Sequence, residues 1–263
     1  MKEMNLPIRE NMYGHSKRLK WIISQLKESD SIVEFGCGTG YMITRPLSVM
    51  GYSATGIDLD SASIEYGREI FQLEGLDSDR LLNCDLSDLD LLPDVIIASE
   101  VLEHIPDEQL SDILQIIRSK TNPEGSLLVT VPNGYGWFEL ESFLWFKTGV
   151  GFLLSTLGVV RVLNLFKQTL LDRDIEPSYP ASVADSPHVQ RFTFQSIQAL
   201  LKREGFEIVS IKGSVLFAGP FSNLFFTGIK PIMNLNCRLG DLFPKISAGF
   251  YCHCRLKKTD VSA

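Results

Sequence analysis

The feature that most constrains the fold is a glycine-rich turn that directly follows a short apolar run. Residues 31–40 read Ser-Ile-Val-Glu-Phe-Gly-Cys-Gly-Thr-Gly, and Ile32–Phe35 has the length and composition of a buried parallel strand. Gly36, Gly38 and Gly40 allow a tight turn with positive φ and leave space where a Cβ would collide with a ligand. The turn therefore predicts a binding site at the carboxyl end of a strand.

A carboxylate follows the next predicted strand, about 20 residues beyond the turn. The strand is the short apolar run Ala54–Ile57, and Asp58 comes directly after it. In an open α/β sheet an acid at this place binds the hydroxyl groups of a ribose. The two features together indicate a nucleoside ligand. A dinucleotide fits poorly, because G-x-G-x-x-G needs a glycine at its sixth position and Tyr41 stands there.

The run from Glu34 to Gly40 resembles the first motif of the class I S-adenosylmethionine-dependent methyltransferases. Three later segments follow in that family's order, namely Leu81–Leu86, Pro93–Ala98 and Ser99–Asp107. The last of them is similar to the small-molecule methyltransferases of the quinone-biosynthesis type. The resemblance implies that the chain transfers a methyl group from S-adenosyl-L-methionine.

The resemblance also implies which residues bind this cofactor. The glycine turn and the acid before it hold the methionine end, and Asp58 holds the ribose. An acid at the end of the third strand reaches the adenine, while an apolar neighbour covers the ring. The implied cofactor-binding residues are Glu34, Gly36, Cys37, Gly38, Gly40, Asp58, Leu59, Asp85, Leu86, Ser99 and Glu100.

Apolar runs that alternate with amphipathic segments predict an α/β fold. We expect a three-layer, Rossmann-like arrangement around a seven-stranded, mostly parallel sheet. The resemblance places the last strand, Ser247–Leu256, antiparallel between the fifth and the sixth. A length of 263 residues suits one domain, so we expect residues 1–263 to form a single methyltransferase domain with a core of 15–133 and 188–256.

Apolar residues at helical spacing predict the core helices. Tyr13, His15 and Arg18 stand at the start of the first helix, where the resemblance implies contact with the methionine carboxylate; a solvated helix end is the alternative. Pro46 falls inside the second helix, which we expect to be kinked or to begin late. The predicted helices are 15–28, Tyr41–Met50, Ser61–Leu73, Asp107–Ser119 and Thr193–Arg203.

Two apolar insertions, 134–187 and 213–245, follow the fifth and sixth strands. Within residues 135–171 the longest uncharged stretch is about 13 residues, and a membrane-spanning helix needs roughly 20. Three alternatives stay open for this part. It packs on the domain's own core, closes as a lid over an apolar acceptor, or makes peripheral contact with a membrane surface. Residues 172–187 are rich in proline and predict a loop that returns to the sheet edge.

Methyl transfer from a sulfonium is an in-line displacement, so catalysis depends mainly on positioning. A hydroxyl acceptor also needs a base with a pKa near neutrality. His188 borders the first insertion and is the preferred candidate, and His104 follows the fourth strand. A structural, hydrogen-bonding role is the alternative for both histidines.

The predicted reaction is O-methylation of a small or lipid-like acceptor, with nitrogen and carbon acceptors left open. The competing hypotheses are a nicotinamide-dependent oxidoreductase on a similar sheet and a nucleoside-binding scaffold without catalysis.

Composition narrows the partners and the location. A net charge of −7 gives no general attraction to nucleic acid. Five cysteines without regular spacing predict no disulfide framework. Residues 252–254, Cys-His-Cys, alternate faces in a strand and lack a second Cys/His pair nearby, so we expect no metal site.

Residues 1–5 lack an apolar leader, which favours a cytoplasmic protein. Peripheral membrane contact through residues 135–171 is an added expectation.

Overall fold

The structure, a computed structural model, describes residues 13–170, 179–184, 187–226 and 229–257. Its centre is a seven-stranded sheet with the order β3-β2-β1-β4-β5-β7-β6. The strands are β1 (Ser31–Phe35), β2 (Ser53–Asp58), β3 (Leu81–Asn83), β4 (Val95–Ser99), β5 (Ser126–Pro132), β6 (Phe206–Gly213) and β7 (Gly249–Leu256). The first five strands of the chain pair in parallel, β3 with β2, β2 with β1, β1 with β4, and β4 with β5. Strand β7 pairs antiparallel with both β5 and β6. The predicted fold class is confirmed.

Helices lie on both faces of the sheet. Within the described residues they are α1 (Tyr13–Ile23), α2 (Thr44–Val49), α3 (Ser61–Leu73), α4 (Asp107–Lys120), α5 (Trp137–Ser142), α6 (Val150–Thr156), α7 (Val159–Leu170), α8 (Phe194–Arg203), α9 (Pro220–Phe226) and α10 (Lys230–Leu242). A π-helical stretch, Phe143–Lys147, continues α5. The bounds predicted for α3 are confirmed, and α4 and α8 differ by one residue at one end.

The predicted bounds of two helices are wrong. Helix α1 is Tyr13–Ile23 rather than 15–28, and α2 is Thr44–Val49 rather than Tyr41–Met50. The late start agrees with the expectation from Pro46, which thereby falls in the first turn of α2. A proline is tolerated there because its missing N–H would have no partner within the helix.

Alternate side chains of the central strands enter two separate cores. Val33 and Ile96 belong to one core, where α4 and α8 pack. Ile32 and Ile97 belong to the other, where α1 and α2 pack. This period of two places every strand between two apolar layers, as a parallel sheet with helices on both faces requires.

The two insertions pack against each other. The Trp145 and Phe221 rings meet edge to face at 5.0 Å between centroids. The buried Glu141 carboxylate accepts hydrogen bonds from the Ser222 backbone N–H at 2.8 Å and from the Ser222 hydroxyl. Helices α5, α6, α7 and α9, together with the π-helical stretch Phe143–Lys147, are called the helical cap below.

The outer side of the helical cap is apolar. Phe146 is 71% exposed and Phe152 is 78% exposed, so packing on the domain's own core accounts for only part of the first insertion. Among the described residues, no helix has the length and apolar character that crossing a membrane demands.

Candidate functional site

The glycine turn lies at the carboxyl end of β1, as predicted. The φ angles of Gly36, Gly38 and Gly40 are 68°, 55° and 69°, a left-handed region that strongly favours glycine. A Cβ on Gly36 would lie 2.7 Å from the Val101 side chain, and one on Gly38 would lie 2.1 Å from the Ala181 carbonyl oxygen. Both backbone conformation and space therefore require glycine here.

Asp58 is the last residue of β2 and is hydrogen-bonded to the turn. Its Oδ2 accepts from the Gly38 N–H at 2.7 Å, and its Oδ1 accepts from the Asp60 N–H at 2.8 Å. The carboxylate therefore joins the ends of two neighbouring strands. A carboxylate oxygen can accept more than one hydrogen bond, so Asp58 retains capacity to accept from a ligand hydroxyl.

A cavity of about 730 Å³ opens beside the turn, a size that ligand sites commonly have. Most of the predicted residues line it: Glu34, Gly36, Cys37, Gly38, Asp58, Leu59, Asp85, Ser99, Glu100 and His104. Gly40, Leu86 and His188 are not among the lining residues. Leu86 is buried in the core with α4, and His188 is exposed at the surface.

Arg18 is a lining residue that the sequence indicated only as one of three candidates on α1. Its guanidinium donates to His15 Nδ1 at 3.1 Å and forms an ion pair with Glu100 at 3.4 Å. His15 is buried, and burial together with the Arg18 charge lowers the pKa of its imidazole to about 3. The alternative of a solvated helix end is therefore wrong for these two residues. The side chain of Tyr13 lies outside the described part of the chain.

Glu100 has the only positive φ, 57°, among the described non-glycine residues. Its backbone N–H donates to the Thr130 carbonyl at 2.8 Å, and its Oε1 accepts from the Thr130 hydroxyl at 2.9 Å. These bonds and the Arg18 ion pair hold a strained residue at the cavity wall. Such strain is concentrated at functional sites in proteins.

Glu34 is buried behind the turn, where its Oε2 accepts from the Thr44 backbone N–H at 2.8 Å and from the Thr44 hydroxyl. Burial raises the pKa of this carboxyl to about 8, against the opposing effect of the Thr44 hydrogen bonds. The side chain thus satisfies a free N–H at the start of α2, which explains where that helix begins.

His104 and His188 meet at one side of the cavity, with ring centroids 4.8 Å apart. The His104 Nδ1 lies 3.2 Å from the Pro187 carbonyl oxygen, and its Nε2 lies 3.9 Å from Glu103 Oε1. Glu103 is fully buried, and burial, with the nearby Glu100 charge, raises the pKa of its carboxyl to about 8. Glu103 is not among the residues predicted from the sequence, although an acid next to a candidate histidine was a usable signal.

Residues 179–184 have no regular structure and lie across the glycine turn. The Ala181 carbonyl accepts from the Thr39 N–H at 2.9 Å, and the Pro180 carbonyl accepts from the Thr39 hydroxyl at 2.8 Å. Ala181, Ser182 and Ala184 line the cavity. These are the first insertion's only lining residues in the described part of the chain. The helices of this insertion, for which a lid was one of three alternatives, do not themselves line the cavity. Residues 172–178 and 185–186 of the predicted loop lie outside the described residues.

The cysteine pattern behaves as expected for a strand. Cys252 and Cys254 are buried in one core, while His253 on the opposite face lies 2.9 Å from Gln25 Oε1 and 3.0 Å from the Ser126 hydroxyl. The three side chains therefore do not converge. Cys37, Cys84, Cys252 and Cys254 are reduced thiols.

Comparisons with known proteins extend these observations. A family model described as a methyltransferase domain matches residues 10–211. The chain is 33% identical over 60 residues to the ribosomal protein L11 methyltransferase of Neisseria gonorrhoeae, which is 23% of this chain and 20% of the relative. It is 27% identical over 124 residues to the sphingolipid C9-methyltransferase 1 of Gibberella zeae. This match covers 46% of this chain and 24% of the relative. The chain thus spans a quarter or less of these curated relatives.

A solved structure shares the fold. The crystal structure of a SAM-dependent methyltransferase from Methanosarcina mazei matches with a TM-score of 0.54 and 21% identity, over 90% of this chain and 98% of the other. At this sequence identity the similarity supports the fold alone and gives no information about the substrate.

Proposed function

Because the chain belongs to the S-adenosylmethionine-dependent methyltransferase family, we propose that it transfers a methyl group from this cofactor to a small or lipid-like acceptor, at a hydroxyl oxygen. The observation that carries the proposal is the cavity of about 730 Å³ between the glycine turn and Asp58. The narrower quinone-biosynthesis type is part of the proposal and is supported by the sequence of residues 99–107. A single domain is supported by β6 and β7, which follow the first insertion and complete the same sheet.

The lining residues fit this cofactor. We assign the methionine carboxylate to Arg18, which is a permanent cation at the cavity wall. The ribose is assigned to Asp58 and the adenine end to Asp85. When bound, S-adenosylmethionine supplies an electrophilic methyl group on a sulfonium. Glu34 lines the wall and fixes the start of α2 through Thr44. Gly40 and Leu86 act from behind the wall in this scheme, by fixing the turn and packing beneath the site.

The acceptor end of the site is assigned to His104 and its neighbours. His104 lines the cavity. Because the Pro187 carbonyl can only accept, the Nδ1 of His104 carries the proton of that hydrogen bond and its Nε2 has a free lone pair. We assign removal of the acceptor proton to this cluster, with His188 packed against His104.

The proposed function is tested by S-adenosylhomocysteine formation with a panel of apolar hydroxyl compounds. Formation of S-adenosylhomocysteine that depends on one of these acceptors supports the proposal. Methylation of an amine, a carbon or a ribosomal protein instead would agree with the family assignment and contradict the proposed hydroxyl acceptor. Binding of a nicotinamide dinucleotide in place of S-adenosylmethionine would remove the function altogether.

A lipid-like acceptor is supported by the exposed aromatic side chains of the helical cap, and we assign this surface to peripheral contact with a membrane by a cytoplasmic enzyme. Replacing Phe146 and Phe152 together by Ser should lower the fraction that floats with liposomes. Leu73→Ser is the matched control, because Leu73 is 79% exposed but lies on α3. Equal flotation of the two variants would contradict the assignment.

A further inference from the structure

Three side chains with metal-binding atoms meet beside the cavity. They are Glu103, His104 and His188, and one ligand atom from each lies within 4.8 Å of the other two. The consecutive Cys-His-Cys run of residues 252–254 lies elsewhere, on β7. This group joins residues from two separate segments, which only the folded chain brings together.

The Glu103 carboxylate has an unusual environment. The residue is 0% exposed, and among the described residues neither of its carboxylate oxygens has a hydrogen-bond partner. Burying a carboxylate without such partners is costly. A cation beside it would satisfy both the charge and the free lone pairs.

His104 is oriented as metal-binding histidines usually are. Its Nδ1–H donates to the Pro187 carbonyl at 3.2 Å, which leaves the Nε2 lone pair directed to the side of Glu103. The separation of 3.9 Å between His104 Nε2 and Glu103 Oε1 is too long for a hydrogen bond. Two ligand atoms that each lie about 2.0–2.2 Å from one ion at a tetrahedral angle are roughly 3.3–3.6 Å apart, so a small side-chain movement would let both bind the same ion. The carbonyl is the kind of outer partner that fixes the imidazole of such ligands.

The segment that carries His188 is anchored to Glu103. The backbone N–H groups of Val189 and Gln190 both donate to the Glu103 carbonyl at 2.9 Å. The His188 side chain itself is exposed, so its ring can rotate by the small amount that direct coordination requires. Its exposure also gives an ion a path from solvent.

We propose that Glu103, His104 and His188 bind a divalent transition-metal ion, with open coordination positions directed at the cavity. Two imidazoles and one carboxylate suit zinc, iron or manganese better than magnesium or calcium. Glu100 is not counted as a ligand, because Arg18 and Thr130 already occupy its carboxylate.

The role of the ion rests on the proposed function. It would bind the acceptor oxygen and lower its pKa, so that the hydroxyl proton passes to water before the oxygen attacks the methyl group. The cluster would then promote removal of the acceptor proton through the bound ion, with the two histidines acting as its ligands.

The test is metal binding by the full chain after dialysis against a chelator. Calorimetric titration with zinc should show one site, and magnesium should bind more weakly. Cobalt(II), as a spectroscopic probe, should give ligand-field absorption that zinc abolishes. His188→Asn should weaken zinc binding about tenfold or more without disturbing the fold, since this residue is exposed. Glu103→Gln should weaken it as well, and His253→Asn is the control.

No zinc binding by the unmodified chain, or equal affinity in His188→Asn and His253→Asn, would overturn the proposal. Methyl transfer is measured separately, which separates the two ideas. Metal binding without transfer to any acceptor removes only the proposed function. Transfer by a chain that binds no metal removes only this inference.

Discussion

The glycine turn and the helical cap are held together in different ways. At the turn, side-chain carboxylates bind backbone N–H groups: Asp58 accepts from Gly38, and Glu34 accepts from Thr44. In the helical cap, Glu141 provides one such contact, and many apolar side chains remain exposed. The turn therefore has a conformation fixed by its backbone, whereas the cap presents a surface suited to a partner. The glycine turn is therefore suited to one defined ligand, whereas the helical cap is suited to apolar contact.

The largest effect is expected from Gly38→Ala. An alanine at positive φ costs about 1–2 kcal/mol, and its Cβ would also overlap the Ala181 carbonyl oxygen at 2.1 Å. Urea unfolding should show a larger loss of stability than in Gly75→Ala, where φ is +69° but nothing lies within 4 Å of the added Cβ. Equal losses would mean that residues 179–184 do not constrain the turn.

Asp58→Ala should weaken S-adenosylmethionine binding by about 1.5–3 kcal/mol, the usual loss when a charge-assisted hydrogen bond is removed. Calorimetry measures the affinity, with the exposed Asp90→Ala as a control. Asp58→Asn retains an acceptor for the Gly38 N–H and so separates the turn anchor from ribose binding. An affinity unchanged in Asp58→Ala would exclude the ribose assignment.

For the helical cap, Glu141→Ala should remove the acceptor of the Ser222 N–H and hydroxyl, at a cost of about 1–3 kcal/mol. Hydrogen exchange should become faster in α5 and α9 and stay unchanged in β1 and β4. Glu139→Ala on the same helix is the control. Faster exchange throughout the sheet would show that the cap and the core unfold as one unit.

The remaining prediction is a pH dependence, whose effect is small over any narrow pH interval. Burial raises the pKa of Glu34 from 4.5 to about 8, so the folded chain binds more protons between these values than the unfolded chain does. This stabilisation is fully present below the unfolded pKa and is lost as pH rises through the folded one, by at most about 1.4 kcal/mol per pH unit. Urea unfolding of Glu34→Gln should lack this slope. A slope identical to that of the unmodified chain would exclude Glu34 as its source.

Local sequence patterns were enough to predict the glycine turn and the positions of the strands. Glycines at alternate positions after Phe35 predicted a conformation that the φ angles confirm, because backbone restrictions act residue by residue. The bounds of α1 and α2 were missed, since helix ends depend on partners such as the Glu34 carboxylate, which lies on another element. The family resemblance, rather than periodicity, placed the last strand between the fifth and the sixth.

By itself, the sequence determined the fold class, the glycine turn and the carboxylate after the second strand, since each follows from short-range backbone and hydrophobic rules. Only the tertiary structure decided that Arg18 reaches the cavity, that residues 179–184 cross the glycine turn, and that Glu103 lies buried beside two histidines. These contacts join residues far apart in the chain. No local propensity encodes such contacts, because they form only when the sheet sets the distances between its elements.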